Sequence, residues 1–204
     1  MSKKPIIVFE GIEGSGKSLH IGNVANFLTK KNIKFIKIRE PGGNKNSEKI
    51  RKLILNNNSN FNKNTDLLLY LAARSENIEN VIIKNIGKKV ILIDRFIDST
   101  IAYQHYGMGI NIDFIKKINK FLLKNIKVDI TFLHLVNKKN LKIRLNLRKR
   151  LNRYDKFDLA FYQKVQEGFK KISKKNKSKY FIIDSNSDLN LNKNLILDKI
   201  KKII

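Results

Sequence analysis

The stretch GIEGSGKS, Gly11 to Ser18, sets a lysine and a serine directly behind the last of its three glycines. It satisfies G-x-x-x-x-G-K-[ST] at every fixed position. Glycines let a chain curl until its N–H groups point inward, and a following helix adds its positive end, so the loop Gly11, Ile12, Glu13, Gly14, Ser15 and Gly16 reads as a cradle for phosphate. Lys17 can reach the outer phosphates, and the Ser18 hydroxyl can ligate Mg²⁺, an ion that prefers oxygen. A plain glycine-rich turn would not explain the lysine and serine. Asp94 closes the apolar run VILID and is a second candidate to hold Mg²⁺, directly or through water. Its bland alternatives are a helix cap or an ion pair with Arg95.

These groups need elements to position them. PIIVFE, Pro5 to Glu10, is a continuous apolar run of the kind that fills a strand buried on both faces. Further strands are expected in IKFIKIRE, KKVILIDRF, DITFLHLV and KYFIIDS. Between them lie helical stretches from about Lys17 to Lys31, over SEKIRKLIL with a serine cap, from about Thr65 to Asn85, and over the basic stretch Lys138 to Arg153. A C-terminal helix follows the last strand. NNNSNFNKN reads as a polar loop. Strands alternating with helices predict an α/β fold: a five-stranded parallel sheet flanked by helices on both faces, with ligands at the carboxyl ends of the strands. No composition break marks a second domain, so residues 1–204 are expected to form one domain, with a basic lid segment at about 138–156.

Composition sets outer limits. At 204 residues and 42% hydrophobic, the chain can build a real core. It contains no cysteine, which excludes disulfides and thiolate sites. No apolar run approaches the roughly 20 residues of a membrane span. The start shows no cleavage site for export, so a cytoplasmic setting is expected. The net charge of +26 raises the question of nucleic acid. Lysine, asparagine and isoleucine recur everywhere, however, which reads as a general composition bias and a solvated surface, not a specific nucleic-acid face. His20, His105 and His134 have no metal-site spacing and read as packing or surface residues.

Where the phosphate goes can be weighed by class. A guanine-nucleotide switch needs N-K-x-D, and VNKKNL puts Asn140 where the aspartate should be. A nucleic-acid-stimulated ATPase needs a coupled binding surface, and only diffuse charge is visible. A small-molecule kinase needs a second, arginine-lined site and a basic segment to close over the nucleotide, and both are present.

FEGIEGSGKS, REPGG, LAAR, DRFIDSTIAYQ and the late NRYD…FYQKVQEGF stand in order along the chain. Together they resemble the thymidylate kinase family nearly end to end. The resemblance implies transfer of the γ-phosphoryl group of ATP to dTMP with Mg²⁺, usually by a homodimer on a five-stranded sheet, with no membrane partner. It places Arg39, Arg51 and Arg95 near the acceptor 5′-phosphate, where an arginine fork suits phosphate oxygens. It sets Tyr70, where phenylalanine is usual, to stack on thymine. Arg74, one turn on, would reach the base edge, and Thr100 and Gln104 would hydrogen-bond the pyrimidine. Glu13 would contact the sugar 3′-hydroxyl, with Tyr103 near the sugar. The bland readings are core packing for Tyr70 and a surface ion pair for Arg74. Lid arginines Arg144, Arg148 and Arg153 would face ATP. Arg153 best matches a catalytic position there, although Asn152 replaces the aspartate usual before it. Another nucleoside monophosphate kinase is the nearest alternative.

Overall fold

The computed structural model describes residues 4–147 and 153–204. Its strands are β1 (Ile6–Gly11), β2 (Phe35–Arg39), β3 (Val90–Asp94), β4 (Ile130–Leu135) and β5 (Tyr180–Asp184). Every pairing is parallel and the order is β2-β3-β1-β4-β5. Four fall inside the expected apolar runs, and β1 runs one residue beyond its own, to Gly11. The central strand is buried along its whole length, as a strand covered on both faces must be.

Alternation along β1 divides the core. Ile7 and Phe9 face one side, where they pack with Ile21, Val24 and Leu28 of α1 (Lys17–Lys30) and Ile196 and Ile200 of α9 (Leu189–Lys201). Ile6 and Val8 face the other, against Ile78, Ile82 and Phe96. That second layer is completed by α6 (Ile112–Leu123) and α8 (Leu159–Lys175), two helices the sequence reading leaves unnamed. Register brings Gly11 beside His134, and Phe9 and Arg39 beside Asp94. The carboxyl ends of four strands thus meet at one edge, the place where parallel sheets carry ligands.

Local departures have local causes. The helix α2 (Lys45–Leu55) starts before Ser47, because the Asn44 side chain accepts from the Asn46 and Ser47 N–H groups and caps it. Ser47 instead lies buried and donates to Ala73 O. Asn62 caps α3 (Lys63–Asn77) in the same way. The long helix expected to Asn85 widens to a π-helix over Ile78–Ile82, then ends in the short α4 (Ile83–Asn85). After β3, α5 (Ile97–Thr100) also passes into a π-helix, Ile101–Gly107. The basic helix expected to reach Arg153 is α7 (Lys138–Asn146), with a separate 3₁₀ turn at Arg153–Lys156.

Candidate active site

The loop after β1 curls as its glycines allow. Gly11 has φ +139° and a Cβ there would lie 2.4 Å from His134 O, so the loop and β4 could not approach with any other residue. Gly16, at φ +86°, precedes α1, whose start carries no side-chain cap and no acid in its first turn. That helix start is therefore open to an anion. Lys17 Nζ donates to Gly11 O at 3.0 Å, Ile12 O at 2.8 Å and Ser15 Oγ at 3.3 Å. Burial, with the Arg95 cation nearby, brings the Lys17 ammonium down to about 8. Below the loop, His20 and His134 stack with ring centroids 5.4 Å apart. Burial lowers both, and His134, also beside Lys17, falls to about 3, so this pair is neutral packing.

At the end of β3, Ser18 Oγ donates to Asp94 Oδ2 at 3.2 Å. The other oxygen, Asp94 Oδ1, is buried without a hydrogen-bond partner. A hydroxyl and an unsatisfied carboxylate oxygen beside a phosphate cradle form a hard-oxygen pair that fits Mg²⁺, whose other positions water and phosphate normally fill. Among the described residues no cluster of three or more His, Cys, Asp or Glu could hold a metal.

Beside the cradle lies a cavity lined by Glu13, Arg51, Tyr70, Arg74, Arg95, Thr100, Tyr103 and Gln104, with Glu40, Phe96 and Tyr154. Arg95 links it to the loop. Its guanidinium donates to Gly11 O at 2.9 Å and to Glu13 Oε2 at 2.9 Å, and lies over the Tyr103 ring at 5.2 Å. Its backbone is left-handed at φ +64°, an uncommon state for a residue with a side chain and one that recurs at functional sites. Glu10, at the end of β1, fixes the next turn by accepting from the Phe96 and Ser99 N–H groups and the Ser99 hydroxyl. Arg51 donates to Pro41 O at 2.7 Å.

Arg74 is 2% exposed and locked from several sides. Its Nε donates to Glu40 Oε2 at 2.7 Å, one terminal nitrogen to Asn119 Oδ1, and the other to Phe96 O and Thr100 Oγ1. Those four bonds use four of its five N–H groups. The surface ion pair that would be its bland reading is excluded. Gln104 Nε2 is buried without a partner, and Glu40 Oε1 is too. Both residues line the same cavity.

The family profile for thymidylate kinases matches residues 9–196. The chain is 38% identical over 200 residues to the thymidylate kinase of Acholeplasma laidlawii, covering 96% of this chain and 98% of that protein. It is 40% identical over 184 residues to the thymidylate kinase of Thermosipho africanus, covering 90% of each. The chain belongs to the thymidylate kinase family. The crystal structure of thymidylate kinase from Ehrlichia chaffeensis superposes with a TM-score of 0.80 at 31% identity, covering 98% of this chain and 99% of that one.

Of the residues expected at the acceptor, Glu13, Arg51, Tyr70, Arg74, Arg95, Thr100, Tyr103 and Gln104 line one cavity, but two arginines behave differently. Arg39 lies outside it. Its side chain is 55% exposed, pairs with Glu48 and borders a separate cleft with Ser18 and Asp94, because it sits at the end of edge strand β2. Arg153, expected at the transferred phosphoryl group, is turned the other way. It pairs with Asp66 Oδ1 on α3 and donates from Nε to Ile54 O on α2. Arg144 does sit at the cradle, donating to Gly14 O at 3.1 Å and to Ser185 O at 2.6 Å. Arg148 lies outside the described residues. Thr100 and Gln104 both face the cavity, across a junction from α- to π-helix and not along a regular helix.

The sequence reading missed Glu40, Asp66 and Tyr154. Two signals existed: Asp66 stands four residues before Tyr70 on one helix face, and Glu40 lies inside REPGG.

Proposed function

We propose how this chain carries out the ATP-dependent phosphorylation of dTMP, the reaction of the family to which it belongs. ATP occupies the glycine loop and dTMP the cavity beside it. The observation that carries this reading is Arg95, which touches the loop through Gly11 O and Glu13 while lining the acceptor cavity. A cation shared by two adjoining anion pockets is what transfer between two phosphates requires.

No general base takes part, since the acceptor is a phosphate oxygen already deprotonated at neutral pH. The task is to bring anions together and stabilise charge on the group in flight. Arg51 and Arg95 grip the 5′-phosphate of dTMP. Tyr70 stacks on the base with its ring face as phenylalanine would, its hydroxyl needing water or a partner. The free N–H of Arg74 and the unpaired Gln104 Nε2 supply donors to the base edge, with Thr100 held behind them by Arg74. Glu13 reaches the sugar 3′-hydroxyl and Tyr103 packs near the sugar. On the donor side, the N–H groups from Gly11 to Gly16 surround the ATP phosphates. Lys17 exchanges its loop carbonyls for phosphate oxygens, and Arg144 steadies the loop at Gly14. Ser18 and Asp94 are the residues that would hold Mg²⁺, which when bound neutralises charge on the β- and γ-phosphates.

The wider setting is proposed on the same footing. We place the reaction in the cytoplasm, within one domain whose lid spans about 138–156. Among the described residues no helix is long and apolar enough to cross a membrane. A homodimer is supported by exposed apolar side chains on three helices, Leu53 of α2, Leu68 of α3, and Phe114 and Phe121 of α6, the last 78% exposed. These helices pack in sequence, α2 on α3 and α3 on α6. Light scattering before and after Phe121→Glu tests this surface.

The deciding experiment offers ATP and Mg²⁺ with dTMP, dUMP, UMP, CMP and GMP in turn. ADP formation that needs dTMP supports the proposal. Equal turnover with a ribonucleotide, or ADP without any acceptor, overturns it.

A further inference from the structure

The 3₁₀ turn at Arg153–Lys156 brings two residues of the basic segment down onto α3. Tyr154 is buried, and its hydroxyl donates to Asp66 Oδ2 at 3.1 Å. The other carboxylate oxygen holds the Arg153 guanidinium. That guanidinium also lies 5.1 Å from the centre of the Tyr154 ring and 5.5 Å from that of Phe61. From behind, Tyr162 of α8 donates to Tyr154 O at 3.1 Å. The Tyr154 ring in turn meets Tyr70 edge-on, with centroids 6.0 Å apart and planes at 79°. Tyr154 and Tyr70 line the same cavity.

One carboxylate therefore holds both a cation and a phenol from this turn. Asp66 is buried, and a buried carboxylate needs polar partners for its oxygens. Pairing it with Arg153 satisfies that need and keeps the turn seated. The seated turn presents Tyr154 as the edge that limits how the Tyr70 ring can rotate. Asp66 and Tyr70 stand four residues apart on α3, so the carboxylate and the ring it governs move as one body.

We propose that Asp66 is a positioning residue for the acceptor nucleotide, and that Tyr154 is a wall of the acceptor site contributed by the far end of the lid segment. The two ends of that segment then serve different substrates. Arg144 steadies the ATP loop, while Arg153 and Tyr154 shape the dTMP pocket. This inference rests on the assignment of dTMP to the Tyr70 cavity.

The test uses the intact enzyme and four variants: Asp66→Asn, Tyr154→Phe, the double variant, and Arg153→Ala. Each is first checked for a cooperative thermal transition, and Tyr154→Phe, which removes only a hydroxyl, is the mildest. Loss of one such hydrogen bond is expected to raise KM for dTMP about fivefold while KM for ATP stays within about twofold. The double variant should be little worse than Asp66→Asn alone, because Tyr154→Phe removes a bond to the same carboxylate that Asp66→Asn already weakens. Arg153→Ala should raise KM for dTMP more than it lowers kcat. Unchanged KM for dTMP in Asp66→Asn and Tyr154→Phe, or equal rises for both substrates, would overturn the proposal. So would a hundredfold fall in kcat for Arg153→Ala with KM for dTMP intact, since that would return Arg153 to the phosphoryl group. Failure of the wild-type enzyme to phosphorylate dTMP would instead sink the underlying assignment.

Discussion

The two anion pockets of this enzyme are made of different material. The pocket proposed for ATP is a run of consecutive residues, and its lysine is tied only to its own loop. The acceptor pocket is assembled from side chains as distant as Glu13 and Tyr154, and its key arginine is held by Glu40, Phe96, Thr100 and Asn119 from other segments. A backbone cradle needs only permitted dihedrals and a helix start. A pocket of side chains needs its supports in place before it has a shape. Chemistry should fail first when the donor side is altered, and folding should fail with it when the acceptor side is altered.

The largest effect is expected on the donor side. Lys17→Ala should lower kcat about a thousandfold, as removal of a preorganised charge contact does, with little change in secondary structure by circular dichroism. A coupled assay for ADP checks this, and near-normal turnover would remove the cradle from the mechanism. On the acceptor side, Arg74→Ala should cost about 3 kcal/mol of stability in urea denaturation, because it strands the buried Glu40 carboxyl and three other acceptors. A loss of dTMP binding without a loss of stability would show that Arg74 is a ligand contact alone and would blur the contrast.

A third prediction concerns the buried acid of α5. Asp98 accepts from the Tyr180 hydroxyl at 2.7 Å, and burial, with Glu10 nearby, pushes its carboxyl from 3.8 up to about 7. A carboxyl with a raised folded-state value binds its proton more tightly in the folded chain. Its contribution is therefore present at low pH and is lost as pH rises from about 4 to about 7. Asp98→Asn should gain stability relative to wild type across that window, by at most ~1.4 kcal/mol per pH unit. Glu10, also raised by burial, leaves a residual slope of the same sign. Urea midpoints at pH 5 and pH 8 measure the difference, and a constant offset between the two proteins would contradict it. The smallest effect returns to the donor side. Arg144→Ala should raise KM for ATP about fivefold through the lost bond to Gly14 and leave KM for dTMP alone. A larger shift in KM for dTMP would erase the division between the two ends of the lid.

Legibility followed the same divide. All five strands could be read because each is a short apolar run, buried on one or both faces and bounded by polar or glycine signals. The start of α2 was misplaced at Ser47 because several residues in NKNS can cap, and only the backbone path selects Asn44. The π-helical turns at Ile78–Ile82 and Ile101–Gly107 were invisible, since periodicity at 3.6 residues does not register one inserted residue. Arg74 was legible as a candidate, yet nothing in LAAR states that four of its N–H groups would be occupied by the protein.

By itself the sequence determined the phosphate cradle, the alternating strand and helix order, and the roster of arginines, because each depends on neighbours in the chain or on periodic burial. Only the tertiary structure decided what each arginine pairs with. Arg95 came to touch the glycine loop from the neighbouring cavity, Arg39 was left at the sheet edge with Glu48, and Arg153 crossed to Asp66. The physical reason is that a charged side chain turns to whichever buried or nearby countercharge folding brings within reach, and that partner stands 87 residues away for Arg153 and 82 for Arg95.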